Sequence, residues 1–450
     1  MNSPPGGPSP RRLEHSTPIY LLMGARVARS VGQGALAANF ILELKRLHWS
    51  GPAIGAVLSG GIVFSIAATL LFGPASDRFG RKPFLLGYEL LQFVCALGGF
   101  LTEAGTPSSL VLSLLAIVGG FGQATGGGAG AFSPVEQSWL SRFLPDTLRG
   151  HYFSLNTATG FFGMALGTLS GLYPRVFPLL GSPGAQARAV FLTVMAGALL
   201  ALLLLLFIPD PSDTTVATPL DETLKKEWSL LRTLIGINAL NGFSLGLYAP
   251  LMAYWFSLRF GKGPGAIGLA MGGGYLLAGV YSLASAPLTR RIGTVRTVIV
   301  GRGAGLIFTL LIPLMPTFLL AVLIHLLRVA SNQGTIGARQ ALSVGLVGEA
   351  RRGLAASIHN VSMQIPQSVG PAVGAAFLSH GLLGTPFYLG ALLQGGYLYL
   401  YYRAFEGFDR NTSRESRKNR GEGKSFREKG EEERLPPPRK YPYGKKPARD

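Results

Sequence analysis

Charged and amide side chains inside long apolar runs deserve the first look. A guanidinium or carboxylate in hydrocarbon is costly and is retained for binding, coupling or clamping. The run that begins at Thr317 carries His325, Arg328, Asn332 and Arg339 near one face at helical spacing. If that helix enters a membrane at Thr317, Arg328 lies about 17 Å down, close to the midplane. Arg339 lies deeper, where it can snorkel to the far surface. The planar fork of Arg328 suits an anionic or hydrogen-bond-accepting ligand, with His325 beside it; the competing reading is a clamp onto a carbonyl of a neighbouring helix. The first apolar run puts Arg26, Arg29 and Gln33 on one face, with Arg26 placed to snorkel. Asn238, Asn241 and Tyr248 form a possible cavity face in a later run, and Asn360, Gln364 and Gln367 another. Glu136 falls near the end of its run, where Arg142 or Arg149 could neutralise it. With no carboxylate expected at the depth of Arg328 and Arg29, a neutral or anionic ligand is favoured over a cation.

Other chemistries find no footing. Cys95 is the lone cysteine, so neither a disulfide framework nor a cysteine metal site can form, and the six histidines show no metal-ligand spacing. No phosphate-cradling glycine loop is present, and the loops are too short for a catalytic constellation. The expectation is a protein that is not an enzyme and holds no metal or cofactor. The formal charge of +19 does not point to nucleic acid, because the basic residues crowd the C-terminal tail and the short loops between apolar runs.

The elements that must position these residues are membrane helices. The 450 residues are 48% hydrophobic and only 14% charged, too few charges for a water-facing surface. Apolar runs of spanning length appear near residues 18–43, 53–76, 83–102, 108–133, 151–173 and 187–208, and again near 229–258, 265–288, 296–314, 317–345, 354–378 and 385–404. These predict an all-α membrane protein of twelve transmembrane helices in two six-helix bundles, residues 18–208 and 229–404. A polar linker over 209–228 joins them, and a basic tail over 405–450 has too few aliphatic residues to fold. Lysine and arginine favour one set of loops, which places residues 1–17, the linker and the tail in the cytoplasm and the chain in an inner membrane. Trp49 and Tyr173 suit the membrane interface.

The halves repeat one another. Ala53-Ile54-Gly55 recurs as Ala266-Ile267-Gly268, and at the same offset Gly60, Gly61 and Gly80 meet Gly273, Gly274 and Gly293. Gly150, Gly167 and Gly171 match Gly353, Gly370 and Gly374 at a slightly shorter offset. A duplicated six-helix unit is the architecture of many transporters. Gly160, Gly163, Gly167 and Gly171 lie on one face of the fifth run, and Gly370 and Gly374 flank Pro371 in the eleventh; both patterns suit close helix packing.

Between the second and third runs stands Gly73-Pro74-Ala75-Ser76-Asp77-Arg78-Phe79-Gly80-Arg81-Lys82. This resembles the G-x-x-x-D-R-x-G-R-[RK] loop of the major facilitator superfamily at every fixed position, and with topology and repeat the resemblance covers residues 18–404. It implies a secondary transporter whose Gly73, Asp77, Arg78, Gly80 and Arg81 latch the two bundles in the outward-facing state, whereas Lys82 reads as a positive-inside determinant. The second copy is eroded, with Arg290 at the place of Asp77. Thr168 replaces the proline that antiporters carry in the fifth helix, and Gly120 stands where proton-coupled members often carry arginine. The functional expectation is alternating-access transport of a small organic solute, with export of a drug-like compound or metabolite foremost. Uptake of an anionic or neutral metabolite is the alternative, and a non-transporting sensor or assembly protein on the same fold is the third. A proton or sodium ion is the candidate coupling partner, the bilayer the surroundings, and a monomer the expected state.

Overall fold

The computed structural model describes residues 16–102, 109–122, 133–140, 143–144, 146–177, 182–209, 224–333, 335, 339, 342 and 352–406. Most of the N-terminal tail, most of the central linker and nearly all of the C-terminal tail lie outside these. Every regular element among the described residues is helical. They are α1 (Ser16–Arg46), α2 (Gly51–Phe79), α3 (Arg81–Thr102), α4 (Ser109–Gly119), α5 (Ser133–Leu140), α6 (Asp146–Thr168), α7 (Tyr173–Val176), α8 (Pro183–Leu206), α9 (Leu224–Gly246), α10 (Met252–Phe260), α11 (Pro264–Ile292), α12 (Thr294–Leu311), α13 (Phe318–Gln333) and α14 (Arg352–Ser379). A last helix, α15, starts at residue 385 and runs to 406. Within this set α2, α3, α8, α11 and α12 are long and apolar enough to cross a membrane on composition alone.

The twelve expected runs are all represented, with two corrections. The run over 229–258 is not one helix: the chain turns at 247–251 and resumes as α10. Pro250 lies in that turn, and a proline in a helix interior removes a backbone bond and clashes with the preceding turn. The run over 108–133 ends as α4 at Gly119, because Gly120 (φ 63°) and Gly122 (φ 75°) take left-handed conformations open to glycine; the helix resumes as α5. The second half of the run over 317–345 lies mostly outside the described residues.

Sequence chemistry explains several boundaries. Ser50 and Ser182 cap α2 and α8, their hydroxyls accepting from the amides of Ala53 and Ala185, with proline in the first turn of each helix. The expected loop between the second and third runs is reduced to one residue, Gly80, at φ 92°. Its repeat partner Gly293, between α11 and α12, also has φ 92°. The duplication read from the glycines is therefore written in the backbone.

Glycine also sets how closely helices approach. A side chain at Gly163 would stand 2.7 Å from the Val27 carbonyl, and one at Gly167 would strike that of Val31, so α6 lies directly on α1. In the second half Gly246 faces Gly370 and Gly374 faces Leu247, so α14 lies as closely on α9. Gly171 faces Pro264 at the start of α11 instead.

Among the described residues the halves meet at one end. Gly51 and Gly55 of α2 sit against Ala375 and Ala372 of α14, and the Ala372 amide donates to Ser59 Oγ at 3.2 Å. Gly268 and Gly272 of α11 pack on Thr168 of α6, and Phe161 stacks on Tyr275 with centroids 6.5 Å apart. Lys45 Nζ reaches Ser257 Oγ at 2.7 Å. One hydrophobic core joins both halves there, from Ala35 to Phe387, whereas a second core, from Ile19 to Ile208 and including Trp139, belongs to the first half alone.

Candidate functional site

The first half buries a balanced ionic cluster. Arg26 and Arg29 project from the first half of α1, and both meet Glu136 of α5: Arg26 Nη1 to Oε1 at 2.5 Å and Arg29 Nη2 to Oε2 at 2.6 Å. Arg29 Nε also lies 3.0 Å from Glu89 Oε1 on α3, and the Asn156 amide on α6 donates to Glu136 at 2.9 Å. Both carboxylates are fully enclosed. Three expectations meet the structure here. Arg26 does not snorkel but is buried in an ion pair. Glu136 pairs with these α1 arginines, whereas Arg142 and the Arg149 side chain lie outside the described residues. Arg29 does meet carboxylates at its own depth. The partners come from helices more than a hundred residues away in sequence, which no local spacing reveals. Gln33 is half-buried on the same face of α1 and hydrogen-bonds to Tyr88, whose ring lies 5.8 Å from the Arg29 guanidinium.

The second half buries cations of another kind. Arg328 is 5% exposed on α13, its Nη2 3.2 Å from His325 Nδ1 and its guanidinium 5.1 Å from the centroid of the Tyr248 ring. Because arginine only donates, His325 Nδ1 accepts, which leaves the proton of a neutral ring on Nε2. The His325 ring meets Phe256 edge-on at 5.6 Å, and Tyr275 is an electrostatic neighbour of Arg328. Asn332, one turn further along α13, is buried with neither end of its amide hydrogen-bonded among the described residues. Arg328 has no carboxylate partner among the described residues.

Asn238 and Asn241 face α14: Asn238 Nδ2 lies 3.1 Å from His359 Nδ1 and 3.0 Å from Ser362 Oγ, and Asn241 donates to Met363 Sδ at 3.4 Å. Their amide nitrogens are thus used in packing on α14, while Asn241 Oδ1 is buried with no hydrogen-bond partner among the described residues. Arg339 is buried with its Nη1 3.6 Å from Met363 Sδ, so it does not reach a membrane surface, and Asn360 is half-buried on α14.

A residue missed by the expectations from sequence completes this group. Arg302, in the middle of α12, is 1% exposed and lies within electrostatic reach of Arg328, Arg339, Tyr248 and Tyr397. Its signal was present: an arginine inside a spanning run is by default functional.

At the superfamily-like segment, Gly73, Asp77 and Arg78 belong to the last turns of α2, but their side chains lie outside those described. Arg81 opens α3 and is buried. Lys82 does more than sit at a basic surface: its ammonium bonds the carbonyls of Leu206 at 2.8 Å and Ile208 at 2.7 Å, capping the end of α8. At the closed end a cavity of about 570 Å³, lined by Phe40, Lys45, Val190, Phe191, Ser257 and Lys262 among others, lies away from Arg328.

Comparison with known proteins gives the same answer twice over. A model of the Major Facilitator Superfamily matches residues 22–236 and again 234–442, one match per repeat. A D-xylose transporter of Levilactobacillus brevis is 27% identical over 164 residues, 35% of this chain and 34% of that protein. The 4-hydroxybenzoate transporter PcaK of Pseudomonas putida is 29% identical over 190 residues, 40% of this chain and 37% of that protein. The matched stretch thus spans about a third of the length of these relatives. The crystal structure of a D-xylose-proton symporter superposes with a TM-score of 0.66 at 17% identity, covering 85% of this chain and 96% of that one.

Proposed function

The chain belongs to the Major Facilitator Superfamily, and from that premise we propose that it is a secondary active transporter that carries a small aromatic or otherwise apolar organic anion by alternating access. The observation that carries the substrate class is Arg328: a buried guanidinium with no carboxylate partner among the described residues, bracketed by His325 and the aromatic rings of Tyr248, Tyr275 and Phe256. Such a group is costly in low dielectric unless a ligand acceptor neutralises it. Its planar fork matches a carboxylate, and the rings offer stacking area to an apolar body. A relative named for 4-hydroxybenzoate transport supports the same chemistry.

In this reading the lysine- and arginine-rich loops face the cytoplasm. The closed seam of α2 with α14 and α6 with α11 is then the outer gate, and the structure is the inward-facing member of the cycle. The segment from Gly73 through Arg81 is the latch for the opposite state.

The test uses purified protein in proteoliposomes with 4-hydroxybenzoate as the probe. Saturable counterflow is expected from the wild type, and Arg328→Ala should lower it about 10–100-fold, the loss of a charge-assisted hydrogen bond of about 1.5–3 kcal/mol. Arg328→Lys should recover part of it. Imposed proton and sodium gradients, in right-side-out and inverted vesicles, identify the coupling ion and separate uptake from export. Wild-type exchange by a well-folded Arg328→Ala protein removes Arg328 from the site, and D-xylose exchange without any organic-anion exchange removes the substrate class.

A further inference from the structure

Arg302 is a second buried cation in the half that carries Arg328. It is 1% exposed in the interior of the second half, and its Nε and Nη1 have no hydrogen-bond partner among the described residues. The hydroxyl of Tyr397, an electrostatic neighbour of Arg302 on α15, is likewise fully buried and without one. Arg302 is held there from both sides. The Gln394 amide donates to its carbonyl at 3.1 Å, and the neighbouring Gly301 and Gly305 bring α12 against Ser331, Thr335 and Asn332.

These are donors in want of an acceptor, and the charge is as lopsided as the hydrogen bonding. Residues 229–404 contain one carboxylate, Glu349, which lies outside the described residues. Against it stand three buried guanidiniums, those of Arg302, Arg328 and Arg339. Even if Glu349 serves one of them, two positive charges remain in low dielectric. Water can satisfy the donors but leaves the charge uncompensated. A transported solute neutralises Arg328 only while bound, and then departs.

We propose that the second half holds a resident compact inorganic anion of halide size, bound by the Arg302 guanidinium with help from the Tyr397 hydroxyl and sharing the field of Arg339. At Gly301 and Gly305 α12 packs closely on α13, which favours a compact ion over an organic acid. The ion sets the charge of this half to a value the empty transporter can sustain between solutes.

The experiment uses the full chain in detergent without organic solute, at constant ionic strength. The midpoint of thermal unfolding is followed as gluconate is exchanged for chloride, bromide or nitrate. The expected result is a saturable rise of several degrees with chloride, abolished in Arg302→Gln and kept in Arg328→Gln. Binding of radiolabelled chloride to the wild type, displaced by bromide but not by 4-hydroxybenzoate, reads the same site should Arg302→Gln fail to fold. A wild-type midpoint indifferent to chloride, with no chloride bound, overturns the inference, the more so if Glu349→Gln destabilises as strongly as Arg302→Gln. Chloride dependence that survives Arg302→Gln, or that disappears in Arg328→Gln, also overturns it. The last result places the anion in the solute site and leaves the transport reading standing.

Discussion

The two halves descend from one six-helix unit, yet they treat buried arginine in opposite ways. The first sets Arg26 and Arg29 against Glu89 and Glu136, two charges of each sign within one cluster. The second buries Arg302, Arg328 and Arg339 in a stretch whose sole carboxylate is Glu349. A balanced cluster needs nothing from outside and ties α1, α3 and α5 together. An unbalanced one depends on what it binds. Under the proposed function the first half has a structural role and the second a ligand-binding one, although the glycine packing and the Gly80 and Gly293 turns are shared.

That contrast can be broken most severely at Glu136. Glu136→Gln leaves Arg26 without its counter-charge in the interior, and removing one member of a buried pair costs about 3–5 kcal/mol. Thermal unfolding of the purified protein should show it as a large drop in midpoint. The double variant Arg26→Gln, Glu136→Gln should recover most of the loss, because Arg29 keeps Glu89. A Glu136→Gln protein as stable as the wild type would mean the cluster is not structural.

The converse change gives the second half the solution of the first. Asn332→Asp sets a carboxylate one turn from Arg328 on α13, and the internal pair should compete with an anionic solute. The KM for 4-hydroxybenzoate should rise about tenfold or more, equivalent to about 1.4 kcal/mol, with expression unchanged. An unchanged KM would separate Asn332 and Arg328 from the solute.

A third variant leaves both clusters intact and acts on the movement between them. Asp77→Asn should insert and fold normally yet slow transport about tenfold, as expected for a contact that biases two states instead of holding one fold together. Normal turnover would remove the latch. The last change tests what the halves share: Gly80→Ala and Gly293→Ala should each cost about 1–3 kcal/mol, since both positions have φ 92° with ψ beyond 150°. Unequal costs, measured by unfolding, would show that the repeat has diverged at its hinges.

What could be read from residues alone follows the range of the interactions involved. The apolar runs, the repeated glycines and the Asp77 segment are local patterns, and the helices, the matching hinges and the family follow from them. Breaks at Pro250 and at Gly120 were also local, and the length of the surrounding apolar runs hid them. The partners of Glu136 were beyond reach, because Arg26 and Arg29 stand at the other end of the half in sequence and meet it only after α1 packs beside α5. Asn238 and Asn241 were recognisable as polar groups in a helix, but whether such an amide faces a cavity or a neighbour depends on how α14 lies on α9. Arg302 was legible as a charge in an apolar run, between Gly301 and Gly303, and was outshone by the richer pattern around Arg328.

The closest backbone approaches in the seam that closes one end bring Gly51, Gly55, Gly171 and Gly268 onto Ala375, Ala372, Pro264 and Thr168. Glycine, alanine and proline have almost no side-chain rotamer freedom to lose or regain. When these contacts part, few of the groups that make them fall into new conformations, and few must find their old ones for the joint to shut. Its opening and closing should therefore follow the same path in both directions, without hysteresis, at a speed limited by the swing of whole helices through lipid.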